Sequence, residues 1–480
     1  MARHHFVLLS FPAQGHINPN LQLSKRLLRV GVRVTFLTSA YARLRVKPLE
    51  GLTFAEYDDG YDGDFKKGAE ARDQMVARMR RCSSEALRRI VSSAAEEGCP
   101  VTCIAYSLLL PWAAAVARDL RLPSALIWIQ AATMFDIYYY YYHGFDGVIH
   151  ELESESELGS ASESDDDEKH ASAATVGLPG IPLRFTKRDL PSGLFPKKGQ
   201  VAGHDVFHEH MAELDAGTSP VRVLVNTFDA LESEALKSVS KLKLTAVGPL
   251  IPSALLDGRD PSDTHFGGDL FQTNDSCVEW LDSKAHASVI YVSFGSISFL
   301  PKLQMEEIGR GLLDMGKPFL WVIRDYQNKT EKKAVGGGDD QLIISCMDEL
   351  ERLGLVVPWC SQLQVLSHPA ISCFFTHCGW NSVIESLVCS VPMVGFPQLF
   401  DQSTNAKLVE DYWKIGARVN PNGDGFVERG EIKRCLELVM GDTEMRQNAK
   451  KWQKLSVEAV KEGWSSDKNL QDFVYEVAES

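Results

Sequence analysis

The sequence predicts an α/β protein built on two doubly wound parallel sheets, and three observations predict it. Strand-length runs such as HFVLLSF, VTCIAYS, SALIWIQ, VRVLVNT, SVIYVSFGS, PFLWVIR, ISCFFTH and VPMVGF are nearly all apolar, which suits parallel strands covered on both faces. Helical stretches such as PWAAAVARDLRL lie between them, the alternation that parallel crossovers require. At 480 residues the chain is longer than one ordinary core serves, so two domains are expected.

The first elements read as a strand at residues 5–11, a short loop, a helix over 18–29 and a strand at 31–37, a βαβ unit. The loop, FPAQGHINP, carries His16. On the residues alone, that histidine is compatible with packing, phosphate binding or catalysis. The same alternation continues to the segment VGPLIPSALLDGRDPSDTHFGG at 247–268, whose Pro, Gly, Asp and Ser content marks a linker between two periodic regions. No repeat of 20 to 50 residues is visible.

Net charge is −14, and residues 151–168, ELESESELGSASESDDDE, carry nine acids and no base. The rest of the chain is therefore only mildly acidic. That stretch buries too little apolar surface to offset its ordering entropy, so 151–170 is expected to be a mobile acidic loop, and GGGDD at 336–340 a shorter one. Ten cysteines in 480 residues are too sparse for a disulfide framework and are expected to be reduced and mostly buried. The N-terminus has no cleavable signal pattern and no window of about 18 apolar residues occurs. A cytoplasmic monomer is expected, without nucleic acid and without stable membrane association.

Three motifs invite a metal and have a plainer explanation. NPNGDGFVERGE at 420–431 matches much of an EF-hand loop, yet a strand-like ARV precedes it where a helix belongs. Asp62-Gly63-Asp64 lies in an acidic turn without a flanking strand. Cys373, His377 and Cys378 lack a second cysteine pair. No metal site is expected.

Neither GxGxxG after the first strand nor GxxxxGK[ST] is present, so neither phosphate fingerprint applies. Doubly wound proteins nevertheless bind ligands beyond the carboxyl ends of their strands. Two such ends stand out: VSFGSIS, with Gly295 and Ser296, and FFTHCGWNSVIES, where His377, Gly379, Asn381 and Ser382 crowd a helix expected to begin near Asn381. A capped helix start or an anion site would each explain Asn381 and Ser382.

The run WCSQLQVLSHPAISCFFTHCGWNSVIESLVCSVPMVGFPQLFDQ, residues 359–402, resembles the 44-residue signature of plant family 1 UDP-glycosyltransferases. FPAQGHINP, LLPWAAAVAR, VGPL, CVEWLD and YVSFGS extend the resemblance over nearly the whole chain. It implies the GT-B fold, two Rossmann-like domains facing a cleft. The division expected is an N-terminal acceptor-binding domain at 1–246, a linker at 247–275, a C-terminal UDP-sugar domain at 276–455, and a closing helix at 456–480 packed back on the first domain. Carried over by position, the resemblance implies that Trp359 stacks on uracil, the Cys360 backbone reads the base edge, and Gln362 and Glu385 hold ribose hydroxyls. Ser296, His377, Asn381 and Ser382 would bind the diphosphate without a metal, and Trp380, Asp401 and Gln402 would border the sugar. The closing glutamine resembles glucose-using members, implying UDP-glucose as donor co-substrate and no other cofactor. Leu399 and Phe400 depart from the Trp and small residue of many members, which bears on the sugar contacts.

By the same resemblance His16 would be the catalytic base of an inverting transfer, since imidazole titrates near working pH. Most members orient that histidine with an aspartate where this chain has Ser107, in CIAYSLLLPW. A hydroxyl can accept from imidazole but does not stabilise imidazolium as a carboxylate does. An acidic acceptor, a carboxylic acid or an acidic flavonoid or anthocyanin phenol, would need little base strength. The TLLLPWAA-like and IYYYY-like segments resemble the subgroup of anthocyanin 5-O-glucosyltransferases and crocetin glucosyltransferases. The rival readings are a terpenoid or hormone acceptor, another UDP-sugar, or a nucleotide-sugar-binding protein without catalysis. Tyr138 to Tyr142 could wall an acceptor pocket, but helical spacing lets only one or two of them face it.

Overall fold

The structure is a computed structural model that describes residues 4–60, 69–158, 174–195, 204–216, 222–267, 276–295, 300–324 and 344–479. The chain divides into two compact units, Met1–Leu270 with Val457–Ser480, and Phe271–Ser456. The Asp62-Gly63-Asp64 turn, the GGGDD stretch and Ser296 lie outside the described residues.

In the first unit the strands of the main sheet are β1 (His4–Leu9), β2 (Val32–Ser39), β3 (Leu52–Tyr57), β4 (Cys103–Ser107), β5 (Ser124–Trp128), β6 (Arg222–Val225) and β7 (Lys243–Ala246). They form one sheet in the order β3-β2-β1-β4-β5-β6-β7. Every neighbouring pair is parallel, as in the register Leu8↔Phe36 and Leu8↔Ala105. Phe6, Val7, Leu8 and Leu9 have no exposed surface, so β1 is covered on both faces as its composition predicts. Each such side chain stabilises the fold by roughly 1.5–3 kcal/mol.

Helices α1 (Gln14–Arg29), α2 (Ala69–Glu96), α3 (Trp112–Asp119), α4 (Ala132–Tyr140), α5 (Asp146–Leu158) and α6 (His204–Ala216) belong to the same unit. Helix α1 buries Ile17, Leu21, Ser24 and Leu27 at three- and four-residue spacing. It begins four residues before the predicted start, because the Ala13 carbonyl accepts from both His16 and Ile17 N–H at 2.9 Å. His16 therefore sits in the first helical turn rather than in a loop. Another correction concerns the acidic stretch. Residues 151–158 continue α5 instead of forming a loop, since glutamate is a good helix former; residues 159–173 lie outside the described residues.

The second unit has strands β8 (Val289–Ser293), β9 (Phe319–Val322), β10 (Leu355–Val357), β11 (Ile371–Thr376), β12 (Met393–Gly395) and β13 (Gly416–Arg418), in the order β10-β9-β8-β11-β12-β13. All are parallel. Helices α7 (Lys302–Met315), α8 (Gln362–Leu366), α9 (Trp380–Val388), α10 (Gln402–Lys407) and α11 (Arg429–Gly441) flank them. Ile290, Val292, Trp321, Phe375 and Val394 of the sheet share a core with Ile308, Leu312 and Leu436. A methyl group on Gly311 would stand 3.0 Å from Ile432 Cγ2, so α7 and α11 pack closely there.

Two helices close the chain, α12 (Thr443–Ala459) and α13 (Ser465–Ala478). Phe473 of α13 meets Phe6 edge-on at 5.9 Å, and Asn469 donates to the Ala246 carbonyl at 3.0 Å. Both sheets thus share one strand order, with the direction of winding reversing between β1 and β4 and again between β8 and β11. Those are the positions where doubly wound sheets place ligands.

Candidate active site

In the first unit the switch point is occupied by His16 and Ser107. Ser107 ends β4 and α1 follows β1, and the adjacency of those strands brings His16 Nδ1 to 2.5 Å from Ser107 Oγ across 91 residues of sequence. The imidazole also lies 5.1 Å from the Phe11 ring. Burial pushes its pKa down to about 3. His16 is half-buried as a residue, and the neutral imidazole is favoured, with one nitrogen committed to the serine.

Tyr138, Tyr139 and Tyr140 end helix α4, and a π-helical turn at Tyr141–Phe145 follows. Tyr138 stacks on Phe207 at 3.8 Å, Tyr139 stacks on His143 at 4.0 Å, and Tyr140 Oη donates to the Ser238 carbonyl at 2.9 Å. Glu232, which sequence reasoning passed over, accepts from Ala132 N–H, Thr133 N–H and Thr133 Oγ1 at 2.9–3.0 Å. It caps α4 from 100 residues away, where the N-cap residue Ala131 has no side chain that can accept a hydrogen bond.

In the second unit the switch point is lined by glycines. Gly295 follows β8 with φ +77°, and a Cβ there would stand 2.5 Å from His377 Nε2; a Cβ on Gly379 would stand 2.6 Å from the same atom. Only residues without a side chain leave the His377 ring its place. Burial lowers its pKa to about 4, opposed by contact with the Ser293 carbonyl, so at neutral pH the ring is an uncharged hydrogen-bonding group. Helix α9 starts at Trp380, one residue before the predicted start, with Gly379 as an N-cap that provides no side-chain hydrogen bond. Its N-terminal end suits an anion better than a side-chain-capped helix would.

Beside it, Gln362, Ser382 and Glu385 come together. Gln362 Nε2 donates to Ser382 Oγ and to Glu385 Oε2, both at 2.9 Å. The orientation of that amide is set from behind, because Tyr291 Oη donates to Gln362 Oε1 at 3.4 Å. Tyr291 is itself stacked on Phe374 at 4.7 Å and lies 3.5 Å from Cys360 Sγ. Burial raises Glu385 to about 7, countered by the Gln362 amide. Trp359 is half-buried next to the buried Cys360.

The far end of the signature forms a second polar cluster. Gln402 Oε1 accepts from the N–H groups of Gln398 and Leu399 at 2.8 and 3.0 Å. Asp401 Oδ2 accepts from Asn405 Nδ2 at 2.7 Å, and that amide also donates to the Cys378 carbonyl at 2.9 Å. Burial raises Asp401 to about 6, opposed first by Asn405 and also by the Trp380 N–H. The Trp380 indole is nearly fully buried and 6.0 Å from Trp413. Its ring is core, and its backbone is what reaches Asp401. Leu399 and Phe400 are exposed, and Phe400 has φ +59°.

The residues of the EF-hand-like loop have other partners. Glu431 accepts from Asn420 N–H and pairs with Arg434 at 2.6 and 2.8 Å, which holds its carboxyl down to about 2. Asn422 Oδ1 accepts from Asp424 and Phe426 N–H. Tyr291, Asn405, Gln398 and Glu232 were missed in sequence reasoning. The partners of Tyr291 and Glu232 are distant in sequence, and Gln398 contributes a backbone N–H; only Asn405, four residues from Asp401, follows a spacing rule.

A family profile described as UDP-glucoronosyl and UDP-glucosyl transferase matches residues 271–458. The chain is 52% identical to phloretin 4'-O-glucosyltransferase of Malus domestica, covering 99% of this chain and 98% of that one. It is 49% identical to the chloroplastic crocetin glucosyltransferase of Gardenia jasminoides, over 98% and 96%. Among solved structures it is similar to Os79 from O. sativa in complex with UDP, with TM-score 0.80, 32% identity, and 98% and 100% of the two chains covered.

Proposed function

The chain belongs to the UDP-glucoronosyl and UDP-glucosyl transferase family, and on that premise we propose that it transfers glucose from UDP-glucose, with inversion, to an acidic oxygen of a small plant metabolite. Carboxylic acids and acidic phenols are the acceptor class. The observation that carries this choice is His16 held at 2.5 Å by a hydroxyl, Ser107, with burial keeping the ring neutral. The phloretin and crocetin named for the two relatives are consistent with small-molecule acceptors.

In the proposed reaction the acceptor oxygen forms a bond to the anomeric carbon of glucose as the bond from that carbon to the UDP oxygen breaks. UDP departs with the electron pair. Where the acceptor carries a hydroxyl proton, His16 Nε2 takes it, because Nδ1 is engaged by Ser107. Serine leaves the imidazolium without a compensating carboxylate, so the proton transfer is weakly driven. A carboxylate acceptor needs no such transfer, and an acidic phenol needs less.

The second unit supplies the donor site in this reading. Trp359 and the Cys360 backbone hold the base, and Glu385 accepts from ribose hydroxyls beside Gln362. His377, Asn381, Ser382 and the α9 N-terminus donate to the diphosphate, stabilising the charge that builds on the leaving group. Gln402 presents a donor and Asp401 an acceptor, a pair suited to neighbouring sugar hydroxyls. The diphosphate contacts require no metal ion. No helix among the described residues is long and apolar enough to cross a membrane, and ten unpaired cysteines fit the reducing cytoplasm proposed as its compartment.

Release of UDP from UDP-glucose, measured with a panel of carboxylic acids and phenols of graded acidity, tests the assignment. His16→Ala is expected to cost about 100-fold or more with weakly acidic phenols and less than about tenfold with carboxylates. Equal large losses on both would defeat the acidity argument. Ser107→Asp should favour the least acidic acceptors most.

A further inference from the structure

We infer that His210 is a positioning residue for the transfer, holding the end of β4 so that Ser107 meets His16; this rests on the role proposed for that pair. His210 lies on α6 with no exposed surface. Its Nε2 donates to the Leu108 carbonyl. A carbonyl only accepts, so this bond fixes the tautomer and leaves the lone pair on Nδ1, which is buried without a partner among the described residues. The ring also lies parallel to Tyr106, at 6.1 Å and 8°.

The residues held are the two that flank Ser107. In a strand, neighbouring side chains point to opposite faces. The imidazole lies against the Tyr106 ring on one face of the strand and reaches the Leu108 carbonyl just past its end, while Ser107 between them turns the other way to His16. Beyond β4 the chain leaves the sheet through a turn closed by Leu110 N–H donating to the Ser107 carbonyl at 3.0 Å. Leu108 lies just past the end of the strand, and His210 secures its carbonyl there. Helix α6 is anchored in turn: Arg80 grips Glu209 at 2.8 and 2.7 Å from α2, and Arg118 grips Glu213 at 2.7 and 3.3 Å from α3. The line from α2 and α3 through α6 and His210 ends at the serine that orients His16.

A histidine that only filled the core would leave no acceptor-dependent trace when replaced. His210→Phe keeps an aromatic ring against Tyr106 and removes the donor; His210→Gln removes the ring and keeps an N–H in reach of Leu108. With a weakly acidic phenol, His210→Phe is expected to lower kcat about 10–100-fold, the scale of a misplacement near 1 Å. KM for UDP-glucose should stay within twofold of wild type. With a carboxylate acceptor the loss should be less than threefold, and His210→Gln should recover most of the phenol activity. Equal losses on both acceptors, following the fraction of folded protein read by thermal unfolding, would overturn the inference, as would a His210→Phe enzyme of full activity on phenols. His16→Ala run alongside separates the two ideas: if it retains phenol activity, the base assignment fails; if it loses that activity while His210→Phe does not, only the positioning role fails.

Discussion

Gly295 and Gly379 show how much a single missing side chain can carry. Both must leave room for His377 Nε2, but Gly379 has an ordinary backbone, φ −61°, and Gly295 has φ +77°. Gly379→Ala should therefore cost less than about 1 kcal/mol of stability, because the ring can move away, while the displaced ring weakens UDP binding about tenfold. Gly295→Ala should cost about 1–2 kcal/mol more, since alanine is strained in the left-handed region. Thermal unfolding and UDP titration of the two variants separate backbone strain from loss of the ring. Glu385 gives a prediction of opposite kind. Its folded pKa of about 7 lies above the ordinary 4.5, so the fold favours the protonated form and this contribution is lost as pH rises through 7. In the absence of UDP, Glu385→Gln should be more stable than wild type at pH 8 by on the order of 2 kcal/mol and unchanged at pH 4. If Glu385 accepts from ribose, the same variant binds UDP more weakly; denaturant titrations with and without UDP check both.

Helix ends decide much at the next scale up. Helix α9 starts on a glycine without a side-chain cap, whereas α4 is capped by Glu232 from a distant part of the chain. That carboxylate is buried and satisfies two N–H groups and a hydroxyl. Glu232→Ala should cost about 2–4 kcal/mol, since buried donors lose their partner, and the loss should appear as faster hydrogen exchange in the first turn of α4. Exchange that stays slow there would show that another group takes over the cap. Helix α1 starts four residues before the start that the sequence predicts, because two N–H groups bond to the Ala13 carbonyl. The residues of the FPAQGHINP and HCGWNS motifs were legible, being contiguous. That both lie at reversals of strand order was not, because strand order is not local.

For the whole molecule, buried ionisable groups act on stability from two sides. Burial lowers His5, His16, His210 and His377, with values of about 3 for His16 and 4 for the last two. Below pH 6.5 the unfolded chain takes up protons that these rings refuse, so stability falls as pH drops. Asp136, Glu232, Glu385 and Asp401 are raised by burial, the last two to about 7 and about 6. Their contribution is lost as pH rises through those values. Without ligand, the two sets oppose each other between about pH 4.5 and pH 6.5, so the urea midpoint should change little there; a steep slope across that range would contradict this. Each unit contains groups of both kinds, so the offset should appear whether the units unfold together or apart.

The sequence by itself determined the α/β class, the two-sheet organisation and the location of the main polar clusters, because apolar runs, helix periodicity and a contiguous 44-residue signature are short-range patterns. It located Ser107 at a strand end and His16 after another. Only the tertiary structure decided that these two residues meet at 2.5 Å, that two glycines enclose His377, that Tyr291 orients Gln362, and that His210 secures the carbonyl next to Ser107. Each of those contacts depends on which strands lie side by side. Strand order arises when the whole sheet closes over its core, and no window of sequence contains it.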